Sequence, residues 1–289
     1  MAETMRVMVS VFKLRIGFAI MLCALAGAAV TRGGGVEPAA LLALALSVLI
    51  ASASAGAMNQ YLERDLDALM ARTRSRPFVT GRLRPAWYWP LTIAALTFAA
   101  VIWAALSTNV IAALFVFLGA FTYGVVYTVW LKRRTWMNIV VGGLSGSFAV
   151  LAGAAAVNPE LGVAPVVLAV VLFLWTPPHF WSLAYAGKQD YERAGVPMLP
   201  SLVDDVVTAR VIFGHALLLV VLSLVPLFYG MGVVYGIGAA WGGVLFLRGA
   251  IRFMRAPSRS TAMGTFFASL AQLTLLLTGA LLDAGLRAF

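Results

Sequence analysis

A chain of 289 residues that is 62% hydrophobic and only 11% charged cannot coat a water-soluble globule, which typically carries roughly 25% charged residues. A mean hydropathy of +0.94 and apolar runs of about 18 residues or more are the pattern of a bilayer-spanning protein. The net charge of +10 does not point to nucleic acid. The basic residues sit in short loops between apolar runs, where they orient helices and meet anionic headgroups. The single cysteine, Cys23, lies inside an apolar run, which excludes a disulfide framework.

In chain order, nine apolar segments run near 14–31, 39–61, 87–106, 108–130, 138–156, 163–185, 209–229, 231–253 and 262–284. At about 1.5 Å per residue each is long enough to cross the hydrocarbon as a helix. Open strands are excluded there, because lipid cannot satisfy their backbone groups. The first run follows Lys13 and Arg15 and ends in Ala-rich sequence, the outline of a cleavable signal, but it fits the topology as a retained span. The expected fold is an all-α, polytopic membrane protein, a single domain over 1–289 with nine transmembrane helices.

With the N-terminus in the cytoplasm, only Arg32 and Arg287 fall outside, so 19 of the 21 basic residues obey the positive-inside rule. The C-terminus is then outside. The cytoplasmic loops near 62–86 and 186–208 are long and, with Glu3, hold eight of the 11 acidic residues. Polar groups retained against cost at a membrane mark function, so the active face is expected to be cytoplasmic.

The first of these loops opens on Asn59-Gln-Tyr-Leu-Glu63-Arg-Asp65-Leu-Asp67. Read as one helix leaving the membrane, Asn59, Glu63 and Asp67 share a face at i, i+4, i+8, and Asp65 points away. Like charges at this spacing destabilise a helix unless neutralised. Mg²⁺ does so with hard oxygen ligands, binding one or two carboxylates plus substrate phosphates. Arg72, Arg74, Arg76, Arg82 and Arg84 follow, and guanidinium forks suit phosphate, although a polybasic juxtamembrane loop also serves topology alone.

The Asn59-x3-Glu63-x3-Asp67 spacing resembles the first motif of the UbiA superfamily of intramembrane prenyltransferases. The strings NQYLERDLDALMARTRSRP (59–77), YTVWLKRRTWMNIVVGG (127–143), TPPHFWSLA (176–184) and DYERAGVPMLP (190–200) resemble, in order, its heme-farnesylating branch. Glu63 stands where the superfamily usually has Asp, and the second motif offers Asp190 where a pair of aspartates is usual. Lys13-Leu14-Arg15 lacks the Pro that this branch often has between its basic residues.

The resemblance implies a UbiA-like bundle in the inner membrane and transfer of a farnesyl group from farnesyl diphosphate to a vinyl group of heme B. Water addition then gives heme O for heme A and terminal oxidase biogenesis. A quinone precursor or similar acceptor is the alternative. Mg²⁺ is the implied cofactor, held by Asn59, Glu63 and Asp67 with Asp190 opposite. Arg72, Arg76, Tyr127, Lys132 and Lys188 are implied near the diphosphate, although Tyr127 and Lys132 also fit an aromatic belt and a topological lysine. Membrane lipid and a downstream heme-modifying enzyme or oxidase assembly factor are the expected partners. His179, after Pro177-Pro178, suits either an axial contact to heme iron or a structural hydrogen bond. Phe117, Phe121, Tyr123, Trp175 and Trp181 fit either an isoprenoid wall or packing. A transporter would instead place ionisable groups near the bilayer midplane, where these spans have almost none.

Overall fold

The computed structural model describes residues 2–33 and 35–287, which contain helices and no strand. The helices are α1 (Ala2–Val11), α2 (Leu14–Ala29), α3 (Pro38–Leu62), α4 (Arg64–Leu69), α5 (Tyr88–Ser107) and α6 (Val110–Phe121), the last continued by a π-helical stretch over Thr122–Leu131. Then come α7 (Asn138–Gly142), α8 (Leu144–Val157), α9 (Val163–Ala186), α10 (Lys188–Arg193), α11 (Leu199–Leu202), α12 (Asp205–Ser223), α13 (Val233–Arg255) and α14 (Arg259–Arg287). Among the described residues, eight helical segments are long and apolar enough to cross a membrane, and nine if α1 and α2, bent by 52° at their junction, act as one span. Every expected segment therefore has its helix.

Local chemistry sets the ends. Pro38 opens α3 at a position where its missing N–H costs nothing. Asn109 and Asp204 cap α6 and α12 by accepting from Ala112 N and Val207 N. Gly230, at φ 96°, makes the turn into α13 in a conformation that disfavours side chains. Asp283 reaches across from α14 to accept from Gly232 N at 2.8 Å and pairs with Arg287 at 3.1 Å, which places a carboxylate at the positive end of α13.

Most neighbours in sequence are neighbours in space, and α14 closes the bundle by packing on α2 and α9 while α2 also packs on α8. Leu106, Val110, Phe228, Val233 and Trp241 are exposed on the outside. So broad an apolar exterior belongs in lipid, and the protein is an integral membrane protein. Inside, alanines and glycines let backbones approach. A Cβ on Gly153 would fall 1.7 Å from Ala24 O, and one on Gly27 2.0 Å from Val150 O. Gly153→Ala must push α2 and α8 apart and is expected to cost about 1–3 kcal/mol or more. An unchanged thermal midpoint in detergent refutes that close contact.

Candidate active site

The face expected from spacing forms, with one interruption. Helix α3 stops at Leu62, and Glu63 turns the chain into α4 with φ −98° and ψ 12°, in the sparsely allowed bridge region common at active sites. The i→i+4 bonds survive the turn, Glu63 N to Asn59 O at 3.0 Å and Asp67 N to Glu63 O at 2.8 Å. Asn59, Glu63 and Asp67 are therefore kept in register, and all three are buried. Asp65 faces away and is gripped by both guanidinium nitrogens of Arg133 at 2.8 Å. That fork holds its carboxyl below the usual carboxylate range and gives it a structural role.

Each member of the face meets a cation or a donor. Lys132 Nζ lies 2.5 Å from Glu63 Oε2, and Arg76 Nη1 spans both Asp67 oxygens at 2.8 and 2.6 Å. Lys13 Nζ donates to Asn59 Oδ1 at 2.6 Å and to the Tyr123 hydroxyl at 3.0 Å, while Asn59 Nδ2 donates to Thr128 Oγ1. Lys13 and Thr128 also meet this face; the sequence places Lys13 in the basic pair 13/15 and Thr128 in the string 127–143 but gives neither a role there. By sequence Lys13 is a topological charge, and the signal that sets it apart is backbone: it sits at the α1–α2 bend with φ 46°, a strained conformation that surrounding structure must hold.

The end of the fourth span is π-helical rather than a regular helix. Thr128 Oγ1 donates to Tyr123 O at 2.7 Å and Lys132 N to Tyr127 O at 2.9 Å. Winding by i→i+5 brings Tyr123, Tyr127, Thr128 and Lys132 toward one side, and such stretches are frequent at functional sites. Tyr123 and Tyr127 stack with centroids 5.5 Å apart, and Lys132 lies over the Tyr127 ring at 5.6 Å.

Asp190 is brought beside the loop after α4, where its carboxylate accepts from Ala71 N at 3.0 Å and faces Arg193 at 3.7 Å. Lys188 opens α10, half-buried, and joins no ion pair among the described residues. Tyr191 Oη is buried beside Arg72, and burial raises its phenol above the ordinary range. Among the described residues no three His, Cys, Asp or Glu side chains converge as a metal cage. The donors nonetheless fit Mg²⁺ bound with a phosphate, which needs only one or two protein carboxylates. Glu63 Oε1 is buried and accepts nothing, leaving a hard oxygen with free lone pairs.

A cavity of about 550 Å³ adjoins this face and is lined by Lys13, Arg15, Arg72, Tyr123 and Tyr127, and also by Trp175, His179 and Phe266. Phe117, Phe121 and Trp181 do not line it; Trp181 is core, and Phe117 and Phe121 stack on each other at 5.7 Å. Helix α9 runs unbroken through Pro177 and Pro178; their missing N–H groups free carbonyls one turn earlier. His215 bonds Val211 O on its own helix at 2.8 Å, a structural role.

The model of the UbiA prenyltransferase family matches residues 20–273. A relative in Paramagnetospirillum magneticum, protoheme IX farnesyltransferase 2, is 54% identical over 283 residues, covering 98% of each chain. Among solved structures, digeranylgeranylglyceryl phosphate synthase superposes with a TM-score of 0.79 at 16% identity, over 98% of this chain and 99% of that one. A UbiA homolog from Archaeoglobus fulgidus bound to GPP and Mg²⁺ superposes with a TM-score of 0.68 at 15% identity, over 95% and 99%. With a family match over most of its length and a near full-length relative above half identity, this chain belongs to the UbiA prenyltransferase family.

Proposed function

We propose that this prenyltransferase moves the farnesyl group of farnesyl diphosphate onto a vinyl group of protoheme IX, with water addition giving heme O. The observation that carries the reading is one cavity shared by two kinds of wall. Lys13, Tyr123 and Tyr127 tie it to the buried acid face, and Trp175, His179 and Phe266 line it with flat rings and an iron-competent nitrogen. The name of the near full-length relative supports the acceptor. The biased placement of basic residues supports a bacterial inner-membrane protein with its N-terminus and active face in the cytoplasm. The product is of use to an enzyme of heme A synthesis or an oxidase assembly factor.

When bound, Mg²⁺ supplies Lewis-acid stabilisation of the departing diphosphate; Glu63 and Asp67, with Asn59, would hold it, and Asp190 is the proposed support from the second loop. Arg76, Arg72, Lys132 and Lys188 are the proposed partners of the diphosphate oxygens. Arg76 and Lys132 already lie at the acid face, on Asp67 and Glu63, and would turn from those carboxylates to the diphosphate oxygens when the metal takes the acids. Weakening of the allylic C–O bond leaves a carbocation-like C1 among Tyr123, Tyr127 and apolar side chains of the cavity, whose ring faces favour positive charge and exclude water. The vinyl carbon then attacks C1 as the C–O bond to diphosphate breaks, and water adds to the resulting cation and gives up one proton to the released diphosphate, leaving the hydroxyl.

Purified protein given heme B, farnesyl diphosphate and Mg²⁺ is expected to yield a farnesylated heme by mass and to release pyrophosphate. Chelation with EDTA is expected to lower that release at least about 100-fold, since a metal supplies several kcal/mol of charge stabilisation. Release that persists under EDTA refutes the metal, and release only with a quinone precursor refutes the heme acceptor.

A further inference from the structure

Helix α9 contributes one histidine to the cavity, His179, and the surroundings fix its tautomer and its plane. Ser269 on α14 has one hydroxyl proton, and its Oγ donates to Phe266 O at 2.6 Å. We assign that proton to Phe266 O, the shorter of its two contacts, so that the 2.7 Å contact between His179 Nδ1 and Ser269 Oγ is a bond from Nδ1–H to the serine oxygen. That leaves the proton on Nδ1 and a lone pair on Nε2, which bonds no described residue. The ring is held between Trp175, 4.1 Å away at 18°, and Phe266, 4.6 Å away at 27°. Trp175 is itself pinned by its Nε1 donating to Ser269 O at 3.0 Å.

A purely structural histidine has no need of this. One hydrogen bond satisfies Nδ1, yet the second nitrogen is presented bare in a side chain that lines the cavity. Imidazole with one nitrogen donating to an oxygen and the other free is the arrangement that ligates metal, the outer bond fixing tautomer and orientation. Between a quinone precursor and an iron porphyrin, only the porphyrin carries a metal of its own. We propose that His179 Nε2 is an axial ligand to the iron of the porphyrin acceptor, with Ser269 as its orienting partner. The proposal rests on the heme-acceptor reading above. Its consequence is positional: the reacting vinyl lies on the rim of the macrocycle, so anchoring the iron confines that rim to a fixed radius within the same cavity as C1.

The test is iron-selective binding in detergent. Iron protoporphyrin IX is followed by its Soret band and metal-free protoporphyrin IX by fluorescence. His179→Gly is expected to lower affinity for the iron porphyrin at least about tenfold, the scale at which outer-shell partners alone act, and to leave metal-free porphyrin affinity unchanged. Added imidazole is expected to restore the wild-type Soret position. Ser269→Ala is expected to weaken iron porphyrin binding about tenfold. Equal loss of both porphyrins in His179→Gly, with iron affinity unchanged in Ser269→Ala, overturns the ligation, as does wild-type iron affinity in His179→Gly. Wild-type protein that binds neither porphyrin sinks the acceptor reading itself. Wild-type protein that farnesylates heme yet binds both porphyrins equally sinks only the ligation.

Discussion

Glu63→Gln is expected to lower farnesyl transfer by about 10²–10³-fold or more, the scale for removing a preorganised charge-stabilising group. The amide keeps the volume of the side chain, so the packing of the buried turn between α3 and α4 is preserved, and the stability lost by leaving Lys132 without its anion is read separately from the thermal midpoint. What disappears is the carboxylate whose Oε1 is buried with no partner. Asp67→Asn is expected to fall by a similar factor, and the double variant by little more, because groups that act as a unit are far from additive. Glu63→Asp, which restores the residue usual in the superfamily, is expected to retain part of the activity. Membranes carrying Glu63→Gln that convert heme B to heme O at the wild-type rate would falsify this site.

Lys132→Met is expected to be strongly destabilising. Its partner Glu63 has a side chain only 1% exposed, and the lysine's own is 11% exposed. Removing one member strands a charge in a poorly solvated place, which costs about 3–5 kcal/mol. Methionine keeps most of the packing of the stem, so the loss reports charge rather than volume. Pairing it with Glu63→Gln removes the stranded charge and is expected to recover most of the lost thermal midpoint. The pair thus forms a double-mutant cycle. A double variant no more stable than Lys132→Met alone contradicts the ion pair as the source of the loss.

The contrast between these residues and their surroundings shows where sequence reasoning works. Glu63 and Asp67 were legible because i, i+4 repulsion is a local signal; Arg76 was one of five arginines after them in a loop that topology alone accounts for, and its pairing with Asp67 is a choice of the fold. Lys13 was not legible, since its partners Asn59 and Tyr123 are 46 and 110 residues away, and a lysine ahead of an apolar run obeys topology whether or not it reaches a site. The π-helical winding of Thr122–Leu131 carries no periodic mark, for every residue there is acceptable in an ordinary helix. His179 was visible as a rare histidine after two prolines; its tautomer was not, because Ser269 lies 90 residues on.

Hydropathy and charge placement alone determined a multi-span helical membrane protein, and helical period alone set Asn59, Glu63 and Asp67 on one face. These are properties of contiguous chain, summed over windows of one helix or one loop. Only the tertiary structure decided that α3 breaks at Glu63, that each acid arrives already paired with a cation, and that His179 shares a cavity with Lys13. Such choices depend on which helix faces meet, and that is settled by close backbone approaches such as Gly153 against Ala24, where packing fixes a distance that composition leaves open.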